Sequence, residues 1–186
     1  DFSTVESYYI KDNNFELLNK VNYPHSLGIL YQTITQFLGF KNYGDEYKVM
    51  GLQSYGSPVL KKEILKLIKE YNGKKFKLNL DYFNHSNENL SFKFIDNKPY
   101  FPDLYSQKIF DVLGPDRKIN EKLTSHHMNI ASSLQSVFED IVFEQLNFLY
   151  KKYQVDNLCM AGGCAFNSVL NGKIKDKTNF KNIYIH

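Results

Sequence analysis

Residues 157–172, NLCMAGGCAFNSVLNG, constrain the fold more than any other stretch of this chain. Asn157 to Ala161 is an apolar run of strand length. Gly162 and Gly163 end it, and Phe166, Val169 and Leu170 then recur at helical spacing up to Asn171 and Gly172. A strand, a glycine turn and a helix in so short a span predict an α/β chain. Paired glycines leave bare backbone against which a ligand can lie, and the helix start behind them offers unpaired N–H groups to an anion or a polar group. Asn167, expected in the first helical turn, is placed to hydrogen-bond a ribose or a base edge. The same letters also describe a plain tight turn between strand and helix.

Along the rest of the chain, STVESYYI and ELLNKVNY predict a hairpin, with Asp12, Asn13 and Asn14 supplying the turn. Leu27, Leu30, Ile34, Phe37 and Leu38 fall at helical spacing, and Gly39 follows where a C-terminal cap belongs. Residues 41–58, KNYGDEYKVMGLQSYGSP, carry Gly44, Gly51 and Gly56 with little periodicity and predict a long irregular loop of the kind that carries function. Ser57 and Pro58 predict the cap and first residue of a helix whose inner stripe is Leu60, Ile64, Leu67, Ile68 and Tyr71, ending at Asn72-Gly73. KKFKLNL and LSFKFID alternate as two strands of a second hairpin, joined across DYFNHSNEN. A short helix is expected over residues 103–113. A long one is expected from Thr124 or Ser125 to about Tyr153, its apolar face formed by Ile130, Leu134, Val137, Phe138, Ile141 and Leu149.

With 186 residues, 42% of them hydrophobic, the chain can bury a sizeable core. Its 23 basic and 20 acidic residues leave a net charge of +3, too weak a field to point to nucleic acid or an anionic membrane. Cys159 and Cys164 fit neither a zinc knuckle nor a redox pair, and a reducing, cytoplasmic setting with both thiols packed as small apolar groups is expected. No apolar run approaches the roughly 20 residues that cross a bilayer. The chain opens at Asp1 in a β-branched, aromatic run and closes in another, whereas natural ends are polar and frayed. Residues 1–186 are therefore expected to be a single piece truncated at both ends.

Three motifs in order carry a resemblance. His-Ser-Leu-Gly at 25–28, Glu-Tyr-Lys-Val-Met-Gly-Leu at 46–52 and Ala-Gly-Gly at 161–163 followed by Asn167 resemble the O-carbamoyltransferases of the nodulation and antibiotic-tailoring type, and IASSLQSVFEDIV resembles that family's helix before the glycine turn. The resemblance implies part of an actin-like ATPase, ribonuclease H-like domain, a mixed sheet with flanking helices. It also implies an enzyme that uses ATP and carbamoyl phosphate to make carbamoyl-adenylate in a second, adenylate-forming domain absent from this chain, then transfers the carbamoyl group to a substrate hydroxyl. Gly162, Gly163 and Asn167 match the adenosine-facing turn, and Gly44, Glu46, Lys48 and Gly51 match positions facing the nucleotide. Lys48 would offset phosphate or adenylate charge, Glu46 would accept from ribose hydroxyls or sugar amines, and His25 would shuttle a proton or contact phosphate.

The family also carries a divalent, iron-type metal held by His-x-x-x-His and aspartates. His25, His85, His126, His127 and His186 form no such pair, so the resemblance implies ligands outside this chain and an inactive isolated fragment. A non-catalytic nucleotide-binding or regulatory module, or a tRNA-modifying relative, would share the same fold. The lysine-rich run from Lys61 to Lys77 reads as a solvated face rather than a nucleic-acid site, and no spacing selects a hydrolase triad.

Overall fold

The structure is a computed structural model and describes residues 2–86, 93–95 and 97–186. In chain order the strands are β1 (Ser3–Lys11), β2 (Asn14–Asn22), β3 (Ile68–Asn72), β4 (Lys75–Leu78), β5 (Lys93–Ile95), β6 (Lys98–Tyr100), β7 (Asn157–Met160) and β8 (Asn182–Ile185). The α-helices are α1 (Leu27–Phe37), α2 (Glu46–Leu52), α3 (Lys61–Leu65), α4 (Phe110–Leu113), α5 (Ser125–Tyr153), α6 (Ser168–Asn171) and α7 (Ile174–Lys177). The expected α/β class is present. The expected mixed sheet is not seen among the described residues, whose strands form separate two-stranded pairs: β1–β2, β3–β4, β5–β6 and the parallel β7–β8.

The chain divides into two compact units. One holds the stretch up to Gly28, Glu70–Lys77 and Glu139–His186; the other holds Ile29–Lys69 and Leu78–Phe138.

In the first unit, Asp12 and Asn13 adopt φ of 50° and 62°, the double left-handed turn whose twist suits two antiparallel strands, and Lys11 pairs with Asn14 across it. Asn72 Oδ1 accepts from the backbone N–H of Lys74 and of Lys75, both at 3.1 Å, and so shapes the β3–β4 turn. Asn72-Gly73 is therefore a hairpin signal and not the end of a helix. The expected helix from Ser57 to Tyr71 is corrected to a short α3 followed by β3, because Ile64, Leu67 and Ile68 are buried in either conformation and the turn chemistry at 72–73 decides between them. The expected pairing of 74–80 with 90–96 is corrected as well. β4 pairs with β3, and β5 pairs with β6, while residues 87–92 and 96 lie outside the described residues.

β7 and β8 run in parallel from Asn157↔Asn182 to Met160↔Ile185. Their alternation leaves Asn157, Cys159, Asn182 and Tyr184 exposed, with Leu158, Met160, Ile183 and Ile185 half-buried. Leu170 and Ile174 are fully buried, and Lys173 Nζ reaches both carboxylate oxygens of Glu139 at 2.7 and 2.8 Å.

In the second unit, α1 ends in a Schellman cap. Gly39 stands at φ +80°, its N–H donates to Gln36, and the N–H of Phe40 donates to the Thr35 carbonyl. The core gathers Leu30, Ile34, Phe37, Leu38, Ile64, Leu67, Phe83, Ile109, Ile130, Leu134, Val137 and Phe138. Two buried polar side chains are matched across this core: Gln36 Oε1 accepts from Leu104 N, and the Tyr31 hydroxyl donates to Gln135 Oε1. The helix expected over 103–113 begins only at Gln107, as one 3₁₀ turn leading into α4, because Tyr105 bridges Phe83 in extended form.

The start of α5 carries a pH-sensitive cap. Thr124 N–H donates to His127 Nδ1 at 3.1 Å, which places the imidazole where a glutamate or glutamine sits in a capping box. Burial, reinforced by His126 and Arg117, holds His127 below its ordinary 6.5. The unfolded chain thus takes up the proton first as pH falls, so the contribution is intact above pH 6.5 and is lost below it. Solvent screening of a part-exposed ring keeps the loss to about 0.5 kcal/mol. His127→Gln should keep the cap and remove this acid-linked part of the decline in melting temperature. Identical wild-type and variant profiles from about pH 7.5 to pH 5 would count against it.

Candidate functional site

In the first unit, β7 delivers the chain to Gly162, whose φ of +97° turns it sharply, and a 3₁₀ turn over Gly163–Phe166 follows. Gly163 does not share the left-handed conformation, and a Cβ built there meets nothing within 4 Å. The fold itself imposes no requirement for glycine at 163. Asn167 is not in the first turn as expected but is the N-cap of α6. It is buried, and its Oδ1 accepts from Leu170 N at 2.9 Å. Asn171 Nδ2 donates to the Ala165 carbonyl at 2.7 Å and ties the helix back to the turn.

The His-Ser-Leu-Gly segment meets this turn. A Cβ at Gly28 would stand 3.4 Å from Ser26 Oγ and 3.7 Å from Cys164 Sγ, so motifs far apart in the chain adjoin within one unit. His25 is half-buried. Its N–H donates to Asn22 O at 3.0 Å and its carbonyl accepts from the Thr4 hydroxyl at 2.5 Å. Cys159 and Cys164 are both exposed, which corrects the expectation that they pack as buried apolar groups: β7 shows alternate residues to solvent, and Cys164 follows an open turn.

In the second unit, the region expected to be an irregular loop contains α2 and a 3₁₀ turn over Gln53–Tyr55. Glycines at 44, 51 and 56 mask the helical pattern, but Val49 and Leu52 are buried as its inner face. Gly44 stands at φ +87° and is open. Gly51 is exposed, and a Cβ on it also meets nothing within 4 Å. Gly56 is different: its Cβ would fall 2.1 Å from the Met128 carbonyl oxygen.

Lys48 projects from α2 into a defined setting. Its Nζ lies 2.6 Å from Asp45 Oδ1, 5.7 Å from the centre of the Phe40 ring and 5.8 Å from that of Tyr47. The hydrogen bond to Asp45 holds its pKa above the usual lysine value. On the same Phe40 ring, Arg117 Cζ stands 5.1 Å from the centre. Arg117 is buried and donates to three backbone carbonyls, those of Leu38, Ile119 and Glu121. Glu46 is the first helical residue and half-buried.

Gly162, Gly163, Asn167 and His25 thus belong to one unit, and Gly44, Glu46, Lys48 and Gly51 to the other. Sequence reasoning missed Asp45, Phe40 and Arg117. Asp45 alone had a local signal, its i, i+3 spacing from Lys48; Phe40 reaches Lys48, and Arg117 reaches Phe40, only through tertiary packing. Among the described residues no group of three or more His, Cys, Asp or Glu comes together to hold a metal ion. No helix among them is long and apolar enough to cross a membrane.

Comparison with known proteins adds a family. The sequence profile described as "Carbamoyltransferase N-terminus" matches residues 3–186. An uncharacterized protein of Synechocystis sp. is 38% identical over 168 residues, covering 89% of this chain and 25% of that protein. Nodulation protein NolO of Bradyrhizobium diazoefficiens is 29% identical over 174 residues, 89% of this chain and 26% of its own length. Nodulation protein NolNO of Sinorhizobium fredii is 29% identical over 163 residues, 86% of this chain and 20% of its own length. The chain spans about a quarter or less of the length of these relatives.

Proposed function

The chain belongs to the carbamoyltransferase N-terminus family, and on that premise we propose that the full-length protein is an ATP-dependent O-carbamoyltransferase. Carbamoyl phosphate, ATP and water are converted to carbamoyl-adenylate, phosphate and pyrophosphate by an adenylate-forming domain elsewhere in the polypeptide. The acceptor hydroxyl oxygen then bonds to the carbamoyl carbon, the bond to the adenylate phosphate breaks, AMP departs, and the hydroxyl proton passes to a base. An actin-like ATPase domain is the fold this reading implies, and a divalent, iron-type metal is assigned to residues outside this chain.

One observation supports it above the others. Gly163 has neither a backbone conformation nor a neighbour in this chain that demands glycine, so bare backbone there fits a ligand that approaches it from outside the chain. Gly162 and Asn167 shape the same turn toward adenosine. In the other unit, Lys48 supplies a fixed cation for phosphate charge, Glu46 an acceptor for hydroxyls, and Gly44 and Gly51 open backbone. His25 is assigned a proton-shuttle or phosphate-contact role.

Incubating the full-length protein with ATP, carbamoyl phosphate and a panel of sugar hydroxyl acceptors tests the activity. Carbamoylated product that requires both co-substrates is expected, and product formed without ATP would overturn the adenylate route. Gly51→Ala adds a sharper test. Alanine in a helical turn with open space around it should raise stability by about 0.5 kcal/mol, yet lower turnover if a ligand lies against α2. A higher melting temperature with unchanged turnover would remove Gly51 from the site.

A further inference from the structure

Asp45 is 5% exposed, an unusual place for a carboxylate on the rim of a surface helix, and its two oxygens have separate duties. Oδ2 accepts from Asn42 N at 3.1 Å and from Asn42 Nδ2 at 3.2 Å, which fixes the carboxylate to the turn before α2. Oδ1 faces Lys48 Nζ at 2.6 Å. The ammonium is thereby held near the rings of Phe40 and Tyr47, 5.7 and 5.8 Å away, instead of sweeping through solvent on its four-carbon stem. Phe40 is fixed in turn by Arg117, whose guanidinium is locked on three carbonyls.

We propose that Asp45 is a positioning residue that acts through Lys48: its carboxylate fixes where the ammonium stands, so that a ligand's phosphate meets a pre-placed cation. This rests on the nucleotide-facing role proposed for Lys48. It has a second chemical consequence. A neutral lysine amine would itself attack the carbamoyl carbon of carbamoyl-adenylate, breaking its bond to the phosphate oxygen so that AMP departs and a proton is released, and would end as a carbamoyl-lysine; an ammonium paired with a carboxylate has no free electron pair to do so. By pairing with the ammonium, Asp45 further lowers the small neutral fraction of Lys48 that could act as a competing acceptor.

Asp45→Asn separates the two duties, because the amide oxygen can still accept from Asn42 while the amide NH₂ cannot pair with an ammonium. In the full-length protein, AMP affinity by calorimetry should weaken about tenfold in Asp45→Asn and about tenfold in Lys48→Met. The double variant should bind no more weakly than Lys48→Met alone. Additive losses would overturn action through Lys48, as would a matching loss of melting temperature in Asp45→Asn. Peptide mapping after cyanate treatment reads the same contact without any ligand. Relative to exposed Lys122, Lys48 should be carbamoylated roughly threefold faster in Asp45→Asn than in wild type, and equal rates overturn the proposal. Unchanged AMP affinity in Lys48→Met, with cyanate reactivity still responding to Asp45, would instead reject the nucleotide-facing role of Lys48 and leave the Asp45 contact standing.

Discussion

Full-length protein carrying Gly163→Val is expected to lose at least about a hundredfold in AMP affinity while melting within a degree or two of wild type. The melting temperature is spared because a side chain at 163 projects into open space: no atom outside its chain neighbours lies within 4 Å of the added Cβ, and the residue is outside the left-handed region. The affinity is not spared, because a branched side chain fills the volume in which an adenosine would lie against bare backbone. Gly162→Val is the contrasting variant. At φ +97° any L side chain is strained, so that substitution should cost roughly 1–2 kcal/mol whether or not a ligand binds. Calorimetry on Gly163→Val that returns wild-type affinity would move the nucleotide away from this turn.

Gly56→Ala is expected to have the opposite profile, a large loss of stability with no direct reach to a ligand. Its Cβ would sit 2.1 Å from Met128 O, 2.3 Å from Met128 C and 2.7 Å from Asn129 N, all backbone atoms of α5. The backbone conformation at 56 is ordinary extended chain, so the cost is steric. Neither side can give way cheaply. Ser57 N donates to Asn129 Oδ1 at 2.9 Å and Leu60 N to Ser133 Oγ at 3.0 Å, which pins the 56–60 segment along the helix. Forcing a methyl group into that contact should cost about 3 kcal/mol or more, a fall of roughly 10 °C in melting temperature for a chain of this size. A melt within two degrees of wild type would show that the segment does not rest on α5. Gly51→Ala, five residues earlier in the same glycine-bearing stretch, should move the other way.

Much of this architecture was legible where the signal is local. The β1–β2 turn follows from Asp12 and Asn13, residue types that tolerate positive φ, and the end of α1 follows from Gly39. α5 was legible nearly to the residue, since a long apolar stripe at helical spacing has few other solutions. Its inner face shifts slightly, with Leu146 buried where Leu149 was expected and Leu149 half-buried. The failures share a cause. Asn72-Gly73 ends helices and turns hairpins alike, and Ile64, Leu67, Ile68 and Tyr71 satisfy either pattern. What favours the hairpin is a partner strand at 75–78 and, within the first unit, a Gly73 whose Cβ would fall 2.4 Å from that of Phe148. α2 was hidden because its glycines dilute the periodicity that would have marked it.

The candidate site divides along the same line. Sequence by itself determined the family, the motif segments and the residue types: a glycine pair after a strand, a lysine and a glutamate among glycines, an asparagine near a helix start. Tertiary structure decided what most of those residues touch. It placed Asn167 as a cap, joined Lys48 to buried Asp45 and to a ring shared with Arg117, set Gly28 against Cys164, and separated Gly51 and Gly163 from Gly56 and Gly73. The physical reason is that a glycine is defined by what a missing side chain would have touched, and that depends on atoms brought from elsewhere in the chain. Met128 and Phe148 fill that space at Gly56 and Gly73, whereas at Gly51 and Gly163 the protein leaves it open.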